Sequence, residues 1–348
     1  MAKVRGRGTG DNPANRFEKL SVEADPDAFD PDAPLPRTQF LKDTSRSIIA
    51  KNDSPDVGFD RSINPYRGCE HGCVYCYARP YHEFLGFSAG LDFETKILVK
   101  EDAPQLLREE LSSPQWKPQV IAISGVTDAY QPAERMYRLT RRCLEVLAEF
   151  RNPVVIITKN HLVTRDADVL GELAKVGAAS VVLSVTTLDP GLARIMEPRT
   201  SAPARRLAAI ETLAHAGVPV GVNVAPIIPG LTDSEIPAIL KAAAKAGASF
   251  AGHTVVRLPY AVKDLFSRWL EDHFPDRKEK VLNRIHGVRD GKLNDPRFGS
   301  RMTGEGVYAE QIDGLFRLSR KKAGIAESHP ALSAASFRLP PGPQLTLF

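Results

Sequence analysis

The sequence predicts an α/β fold built from parallel βα units. From about residue 95, short runs of apolar and β-branched residues alternate with segments of helical spacing, and several of those segments end on glycine. Strands that alternate with helices in this way form parallel sheets. An open βα barrel and a doubly wound sheet both agree with the pattern, and both hold their chemistry at the C-terminal ends of the strands.

Six strands are predicted, because the apolar runs are too short and too continuous to be amphipathic helices. The predicted strands lie near Asn64–Arg67 and at Val120–Ser124, Val154–Thr158, Val181–Val185, Val218–Ala225 and Phe250–Arg257. The predicted helices are Ala133–Phe150, Arg165–Val176, Pro203–Ala216 and Ser234–Ala246. Gly177, Gly217 and Gly247 follow three of these helices, where a C-terminal cap is needed.

The two ends of the chain differ in composition from the regular middle. Residues 1–55 are rich in proline, aspartate and arginine and are predicted to form an extended arm, followed by the barrel over residues 56–275. Residues 276–322 contain 12 Lys and Arg against 7 Asp and Glu, a net charge of +5, whereas the whole chain carries +4. We expect residues 276–338 to pack on the barrel as a basic segment. This segment either binds the phosphates of a nucleic acid or forms a solvent-exposed helical face.

Composition excludes several classes of protein. The 348 residues are 43% hydrophobic and 25% charged, as in ordinary globular proteins. No apolar run approaches the roughly 18 residues of a membrane span, and no secretory signal is visible, so an integral membrane protein is excluded. Three of the four cysteines fall within eight residues, which indicates a metal or redox site in a reducing compartment. We therefore expect a cytoplasmic protein.

The three clustered cysteines are spaced Cys69-x3-Cys73-x2-Cys76, with Gly68 and Gly72 allowing a tight loop. Structural zinc sites need four ligands, usually as two separated pairs, and the sequence has no second pair. A [4Fe–4S] cluster normally takes four cysteines, so three would leave one iron open to a ligand that is not protein. A zinc site and an electron-transfer cluster remain the alternatives at this point.

The cysteine spacing, with Tyr75 before the last cysteine, resembles the signature of radical S-adenosylmethionine (SAM) enzymes. The resemblance implies a partial (βα)6 barrel of the TIM type, with N- and C-terminal extensions and the cluster loop after the first strand. It also implies a [4Fe–4S] cluster on Cys69, Cys73 and Cys76, whose open iron chelates SAM. Reductive cleavage of SAM then yields a radical that abstracts hydrogen from a substrate.

The resemblance extends over about residues 60–260. The strings 64–69, 76–79, 124–128, 158–160, 184–187, 196–199, 205–207 and 225–230 resemble the branch that contains spore photoproduct lyase and relatives often called DNA repair photolyases. Each string lies at, or just beyond, the C-terminal end of a predicted strand. The branch implies a nucleic-acid substrate and a lyase-like reaction of DNA repair.

The resemblance also implies a set of SAM contacts. Ser124-Gly125 matches the site that meets the methionyl amine, although the usual Gly-Gly-Glu form is degenerate here. The full implied set is Tyr75 through its backbone carbonyl, Ser124, Gly125, Lys159, Ser184 and Asn223. A lysine that ends a strand can pair with the SAM carboxylate, and a serine can bind a ribose hydroxyl.

One departure from the branch concerns the hydrogen donor. Spore photoproduct lyase has a donor cysteine after its second strand, whereas the corresponding stretch here, residues 124–127, contains none. The remaining Cys143 lies in the middle of a predicted helix and is expected to be a small buried residue. Tyr77, Tyr81 and Tyr130 are the candidate catalytic donors, and the sequence does not choose among them.

The last five residues resemble the peptide by which bacterial replication and repair proteins bind the sliding clamp. Residues 339–348 are predicted to be a flexible tail, in which Gln344, Leu345, Leu347 and Phe348 would contact the clamp. The alternative is an apolar tail that folds onto its own barrel. The radical chemistry also requires an electron donor such as flavodoxin or ferredoxin.

The sequence therefore predicts a radical SAM enzyme that acts on nucleic acid, with damaged DNA as the favoured substrate. Radical chemistry on a peptide or small metabolite is the first alternative. A non-catalytic iron–sulfur or zinc protein recruited to the clamp is the second.

Overall fold

A computed structural model of the chain describes residues 4–19 and 36–340. The predicted clamp-binding peptide, residues 344–348, lies outside the described residues. Within the described ranges, no helix is both long enough and apolar enough to cross a lipid bilayer.

The described strands form a sheet of seven and a sheet of three. In chain order the strands are β1 (Gln39–Lys42), β2 (Ile49–Lys51), β3 (Arg61–Ile63), β4 (Tyr66–Arg67), β5 (Lys96–Val99), β6 (Ile121–Ile123), β7 (Val154–Thr158), β8 (Ala179–Ser184), β9 (Val220–Ile227) and β10 (Phe250–Val255).

The α-helices of the described residues are α1 (Leu91–Thr95), α2 (Ala103–Ser112), α3 (Glu134–Tyr137), α4 (Leu139–Phe150), α5 (Ala167–Lys175), α6 (Pro190–Met196), α7 (Pro203–His215), α8 (Ile236–Lys245), α9 (Val262–His273), α10 (Lys278–Gly287), α11 (Ser300–Thr303) and α12 (Val307–Ala323). Short 3₁₀ helices occupy Arg79–Leu85, His161–Asp166, Asp233–Glu235 and Pro275–Arg277.

The winding of the larger sheet is that of an open βα barrel. Its strand order is β10-β9-β8-β7-β6-β3-β2. The neighbouring strands in this order are parallel from β10 to β3. Each parallel strand is added on the same side as the one before, whereas a doubly wound sheet reverses direction. β10 and the antiparallel β2 lie at opposite edges. The predicted α/β fold with a parallel sheet is confirmed.

Two of the predicted elements, the first parallel strand and the helix over 133–150, have other bounds in the structure. The first parallel strand is Arg61–Ile63 rather than Asn64–Arg67, because Pro65 has no N–H for the ladder and restricts the residue before it. The predicted helix over 133–150 is divided at Arg138, whose φ is +53°. The Glu134 carboxylate accepts the backbone N–H of Thr140 at 3.0 Å and so caps the second helix, α4.

The main core lies between the parallel sheet and its helices. Its strand residues are aliphatic and fully buried, for example Ile123, Ile156, Leu183 and Val222. Burying each such side chain contributes about 1.5–3 kcal/mol relative to leaving it exposed. The core therefore fixes the strand ends, and with them the loops that follow.

The basic C-terminal segment contacts the barrel at its last strand. The helix α12 packs against α8, and the Ala326 N–H donates to the Ser249 carbonyl at 3.1 Å. The fully buried Arg289 donates to the carbonyls of Val255 and Val256, just at the end of β10. β1 and β2 lie within residues 1–55, which were predicted as an extended arm. The division of the chain into four segments stays a prediction.

The buried Glu94 carboxylate holds the start of the N-terminal arm against the barrel. The Glu94 side chain accepts the backbone N–H of Gly8 at 2.9 Å and of Thr9 at 3.1 Å. It also pairs with the buried Arg79 guanidinium at 2.5 Å. The Arg7 guanidinium donates to the Glu94 carbonyl at 2.8 Å. Residues 7–9 thus cover the loop that carries the three cysteines.

Gly8 permits this close approach. A Cβ at position 8 would lie 1.7 Å from the backbone oxygen of Gly72, which is inside the cysteine loop. Backbone cannot yield as a flexible side chain would, so a side chain here would push the arm off the loop. Packing therefore requires glycine at position 8.

We expect Gly8→Ala to lower the free energy of unfolding by about 1–3 kcal/mol through overpacking. Thermal denaturation of the purified full-length chain measures the change. Gly58→Ala is the matched control, since a Cβ there has no neighbour within 4 Å. Equal melting temperatures for the two variants would show that the arm does not stabilise the loop.

Candidate active site

The three clustered cysteines lie on one loop between β4 and the 3₁₀ helix Arg79–Leu85. The backbone N–H of Gly72 donates to the Cys69 carbonyl at 3.3 Å, and that of Cys76 donates to the Cys73 carbonyl at 3.2 Å. Gly68 and Gly72 have φ angles of +78° and +66°, which other residues adopt at a cost. The two turns fold residues 69–76 into a compact loop, here called the cysteine loop.

The cysteine thiols are free and largely withdrawn from solvent. Cys69 and Cys73 are each 7% exposed, and Cys76 is half-buried. Burial, and next the charge of Glu197, raise the pKa of Cys73 well above its ordinary value. Burial, and next the Cys69 thiol, raise the pKa of Cys76 to about 11. Thiolates at these positions need a bound cation, and binding a metal would release their protons.

The donor set fits an iron–sulfur cluster. Three sulfurs from one loop can each bind a different iron, and the fourth iron is then without a protein ligand. No group of three His, Cys, Asp or Glu side chains surrounds a common metal-ion position among residues 4–19 and 36–340. A cluster does not require such a position, because its irons are separate. Ala78, Phe93 and Val126 form an apolar wall beside Cys69 and Cys76.

Asp128 connects the cysteine loop to the strand ends. Its carboxylate accepts the Thr158 hydroxyl at 2.7 Å and the Lys159 backbone N–H at 2.8 Å, both at the end of β7. It also lies 3.4 Å from His71 Nδ1, inside the cysteine loop. Burial raises the pKa of Asp128, but the neighbouring His71 and these hydrogen bonds outweigh burial and lower the pKa to about 2.

Both ring nitrogens of His71 are engaged. Nε2 lies 3.1 Å from the Asn160 side-chain nitrogen. The Asn160 oxygen already accepts the Leu162 N–H and the Ser201 hydroxyl, so the Asn160 amide donates to Nε2. Nδ1 carries a proton and faces the Asp128 carboxylate. Burial lowers the pKa of His71, but the charge and hydrogen bond of Asp128, together with a neighbouring thiol, outweigh burial and raise the pKa to about 10. His71 is a positioning residue of the loop and leaves no nitrogen for a fourth metal ligand.

The segment after β6 also holds the cysteine loop. The Thr127 hydroxyl donates to the Gly68 carbonyl at 2.7 Å. The Gln131 side chain accepts the Glu70 N–H at 2.9 Å and donates to the Gly68 carbonyl at 3.2 Å. Thr127 and Asp128 had no role in the sequence prediction. The structure assigns both to the support of the loop.

A buried ion pair lies behind Tyr75. The Tyr75 hydroxyl and the Arg206 guanidinium both donate to the Glu197 carboxylate, and the Thr186 hydroxyl donates to it at 2.7 Å. Burial raises the pKa of Glu197, but the charges of Arg206 and Lys159 lower it to about 2. Removing either partner of a buried pair leaves an uncompensated charge. Glu197 and Arg206 therefore fix the position of Tyr75.

Lys159 lies at the C-terminal end of the sheet, beside the cysteine loop. Its ammonium donates to the Ala225 carbonyl at 3.0 Å and lies 6.0 Å from the centre of the Tyr75 ring. Its charge lowers the pKa of both Cys73 and Cys76, although burial outweighs it. An ammonium has three N–H donors, so Lys159 can donate to a bound carboxylate as well as to the Ala225 carbonyl.

The other predicted SAM contacts lie on neighbouring strands or directly after one. Ser184 ends β8, and Asn223 is its register partner on β9. Ser124 and Gly125 follow β6, and the Gly125 carbonyl accepts the Tyr77 hydroxyl at 2.8 Å. Ser184, Ser124 and Gly125 therefore lie at the C-terminal ends of their strands, whereas Asn223 lies in the middle of β9.

The three candidate tyrosine donors fall into two environments. Tyr77, 42% exposed, and Tyr81, 53% exposed, lie on or just after the cysteine loop. Tyr130 is fully buried, and its hydroxyl donates to Asp166 at 3.0 Å. The structure thus separates Tyr130 from the other two. Cys143 is fully buried in the main core, as expected for a small apolar side chain.

The comparisons with known proteins agree with this geometry. Residues 63–243 match the Radical SAM superfamily. An uncharacterized protein of Mycobacterium tuberculosis strain H37Rv is 38% identical over 248 residues, which cover 68% of this chain and 72% of the relative. An uncharacterized protein of Methanocaldococcus jannaschii is 28% identical over 222 residues, which cover 64% of this chain and 79% of the relative.

Among solved structures, spore photoproduct lyase complexed with dinucleoside spore photoproduct has the same fold. The TM-score is 0.59 at 19% identity, with 82% of this chain and 80% of that chain covered. A variant of the same lyase with bound AdoMet and the dinucleoside gives a TM-score of 0.59 at 18% identity. The family match covers more than half of the chain and includes the cysteine loop. This chain is therefore a radical SAM enzyme and belongs to the radical SAM superfamily.

Proposed function

We propose that this enzyme holds a [4Fe–4S] cluster on Cys69, Cys73 and Cys76 and acts on nucleic acid in a lyase-like reaction of DNA repair. The observation that carries the proposal is the cysteine loop, which has two buried cysteines and one half-buried cysteine and lies beside the Lys159 ammonium at the end of β7. The cluster, when bound, supplies one electron for the reductive cleavage of SAM, which yields a hydrogen-abstracting radical.

The chain's own residues position SAM in this proposal. The Lys159 ammonium binds the SAM carboxylate, a charge-assisted contact made stronger by the low local dielectric. Ser184 and Asn223, adjacent on β8 and β9, bind the ribose hydroxyls. The Ser124-Gly125 segment accepts the methionyl amine, and the Tyr75 carbonyl faces the adenine. Burial of the site excludes water from the radical that forms there.

Two observations support nucleic acid as the substrate class. The fold is shared with spore photoproduct lyase, whose solved structures contain a dinucleoside spore photoproduct. The segment 276–338 carries a local excess of positive charge and contacts the barrel next to the end of β10. Tyr77 and Tyr81 are the hydrogen donors that this proposal retains, since both lie at the cysteine loop. A cytoplasmic location and a flavodoxin or ferredoxin donor complete the proposal.

We expect anaerobic reconstitution with iron, sulfide, reductant and SAM to yield 5′-deoxyadenosine, with the yield increased by damaged DNA. Product is measured by chromatography with DNA, peptide and metabolite panels in parallel. Replacing Cys69, Cys73 or Cys76 singly with alanine should abolish both the iron chromophore and 5′-deoxyadenosine. Cys143→Ala is the matched control and should retain both.

The outcomes separate the alternatives. If only peptides or metabolites increase the yield of 5′-deoxyadenosine, the substrate is a peptide or small metabolite rather than nucleic acid. Iron loading that survives Cys73→Ala but not Cys143→Ala would overturn the cluster assignment.

A second prediction concerns Lys159. Lys159→Ala should weaken SAM binding by about 1.5–3 kcal/mol, or roughly 10- to 150-fold, because one charge-assisted contact is lost. Anaerobic calorimetry on the cluster-loaded protein measures the affinity, and the iron content should be unchanged. Lys175→Ala, which alters an exposed lysine paired with Glu172, is the control. Unchanged affinity in Lys159→Ala would remove Lys159 from the SAM site.

We also propose that the tail recruits the enzyme to a bacterial sliding clamp. The support is the sequence of residues 344–348 and the proline- and glycine-rich stretch before it. A peptide ending at Phe348 should bind the clamp with roughly micromolar affinity, about −8 kcal/mol. Deleting residues 344–348 should abolish clamp binding and leave SAM cleavage intact, by surface plasmon resonance and product assay. A large fall in melting temperature would instead make the tail part of the core.

A further inference from the structure

The exposed aromatic side chains of the described residues are not scattered. Six are exposed within residues 4–19 and 36–340, and ring and cation–π contacts join Phe17, Tyr81, Phe84 and Tyr260 into one surface next to the cysteine loop. We call the six rings the aromatic collar: Phe17, Tyr77, Tyr81, Phe84, Tyr260 and Phe298. Exposed apolar surface of this kind marks interaction sites when it is contiguous.

Ring contacts connect one side of the collar. Phe17 stacks on Phe84 with ring centres 4.7 Å apart, and Tyr81 lies 6.4 Å from Phe84. The Arg16 guanidinium lies 5.0 Å from the Phe17 ring and 3.5 Å from the Tyr260 ring. Three segments that are distant in sequence thus meet here: the arm, the 3₁₀ helix after the cysteine loop, and the loop after β10.

Arginines connect the other side. The Arg257 guanidinium lies 4.6 Å from the Tyr77 ring, and Arg301 lies 4.4 Å from the Phe298 ring. Tyr77 directly follows the cysteine loop and lies four positions before Tyr81. The rings of Tyr77 and Phe298 are therefore each covered by an arginine, and Arg257 is the one that lies next to the cysteine loop.

Arg257 is the cation of the collar that lacks a carboxylate partner. Arg16 pairs with Glu83 at 2.7 Å, and Arg301 pairs with Asp56 at 2.5 Å. In the described part of the chain, no carboxylate lies within ion-pair distance of Arg257, which is half-buried against Tyr77. Burial lowers the pKa of Arg257, which is the direction expected of a guanidinium short of anionic partners. An anion from outside would complete this contact.

Flat exposed rings beside a guanidinium that has no ion-pair partner among the described residues suit a ligand that is both aromatic and anionic. Nucleotides have both properties, because bases stack on aromatic rings and phosphates pair with arginine. Paired bases in a duplex hide their faces, whereas bases of a single strand expose them. The collar is thus suited to unpaired nucleotides.

We propose that the aromatic collar binds single-stranded or locally unpaired nucleic acid, with bases stacked on Phe84 and its neighbours and a phosphate on Arg257, next to the cysteine loop. This inference rests on the proposed function and specifies the form in which its nucleic-acid substrate is bound. It needs no contact with paired bases. Binding is therefore expected to depend on strand state and on salt rather than on sequence.

The test is fluorescence anisotropy of a labelled DNA oligonucleotide, single-stranded or in a duplex, with full-length cluster-loaded protein. We expect the single strand to bind at least tenfold more tightly than the duplex. Phe84→Leu, which keeps apolar volume but removes the flat ring, should weaken single-strand binding about tenfold. Phe84→Trp should retain it. Arg257→Gln should weaken binding. It should also reduce the slope of the logarithm of affinity against the logarithm of salt concentration by about the amount expected for one phosphate contact.

The control is Leu318→Ala, which removes an exposed apolar side chain of α12 outside the collar and should leave binding unchanged. Iron content and SAM affinity should be unchanged in the Phe84 variants. Tight binding of duplex, or equal binding by Phe84→Leu and the wild type, would overturn the collar proposal. A third outcome separates the two proposals. If single-stranded DNA binds in a way that depends on Phe84 but does not increase the yield of 5′-deoxyadenosine, nucleic acid is not the substrate. The collar would then remain a nucleic-acid-binding surface.

Discussion

The largely buried carboxylate of Asp128 is the constraint on which the rest of the site depends. It accepts hydrogen bonds from the end of β7 and lies against His71 of the cysteine loop. The loop and Lys159 are therefore held at a fixed relative position, although Cys76 and Lys159 are 83 positions apart along the chain. A cluster and a SAM molecule can react only when their supports are fixed in this way, because small displacements reduce the rate strongly.

The cysteine loop is rigid on one side and accessible on the other. Behind it, the ion pairs Arg79–Glu94 and Arg206–Glu197 are almost completely buried. Such pairs contribute little net stability because desolvation offsets their attraction, but they tolerate few alternative arrangements. In front of it, Tyr77 and Tyr81 are exposed. The site therefore has fixed support for its cofactors and an open approach for a large substrate.

The N-terminal arm completes the enclosure of the loop. Its contact is made by backbone amides of residues 8 and 9 on the Glu94 carboxylate, and no side chain of any size would be tolerated at Gly8. The same carboxylate also receives Arg79, which in turn donates to the Cys73 carbonyl at 3.0 Å. One buried acid thus links the arm to the backbone of Cys73 in the cysteine loop.

The sequence by itself determined the α/β class, the positions of β6 to β10 and the cysteine spacing, because periodicity and ligand spacing are local properties of the chain. It also identified the strings that follow the strands, including Asp128 and Glu197, but not what those residues do. Only the tertiary structure decided that Asp128 faces His71, that Glu197 supports Tyr75 from 122 positions away, and that Gly8 packs on Gly72. It also decided between an open barrel and a doubly wound sheet, and it brought exposed rings from three distant segments onto one surface. These contacts join residues that are far apart in sequence, and no local pattern records which distant partners a folded core brings together.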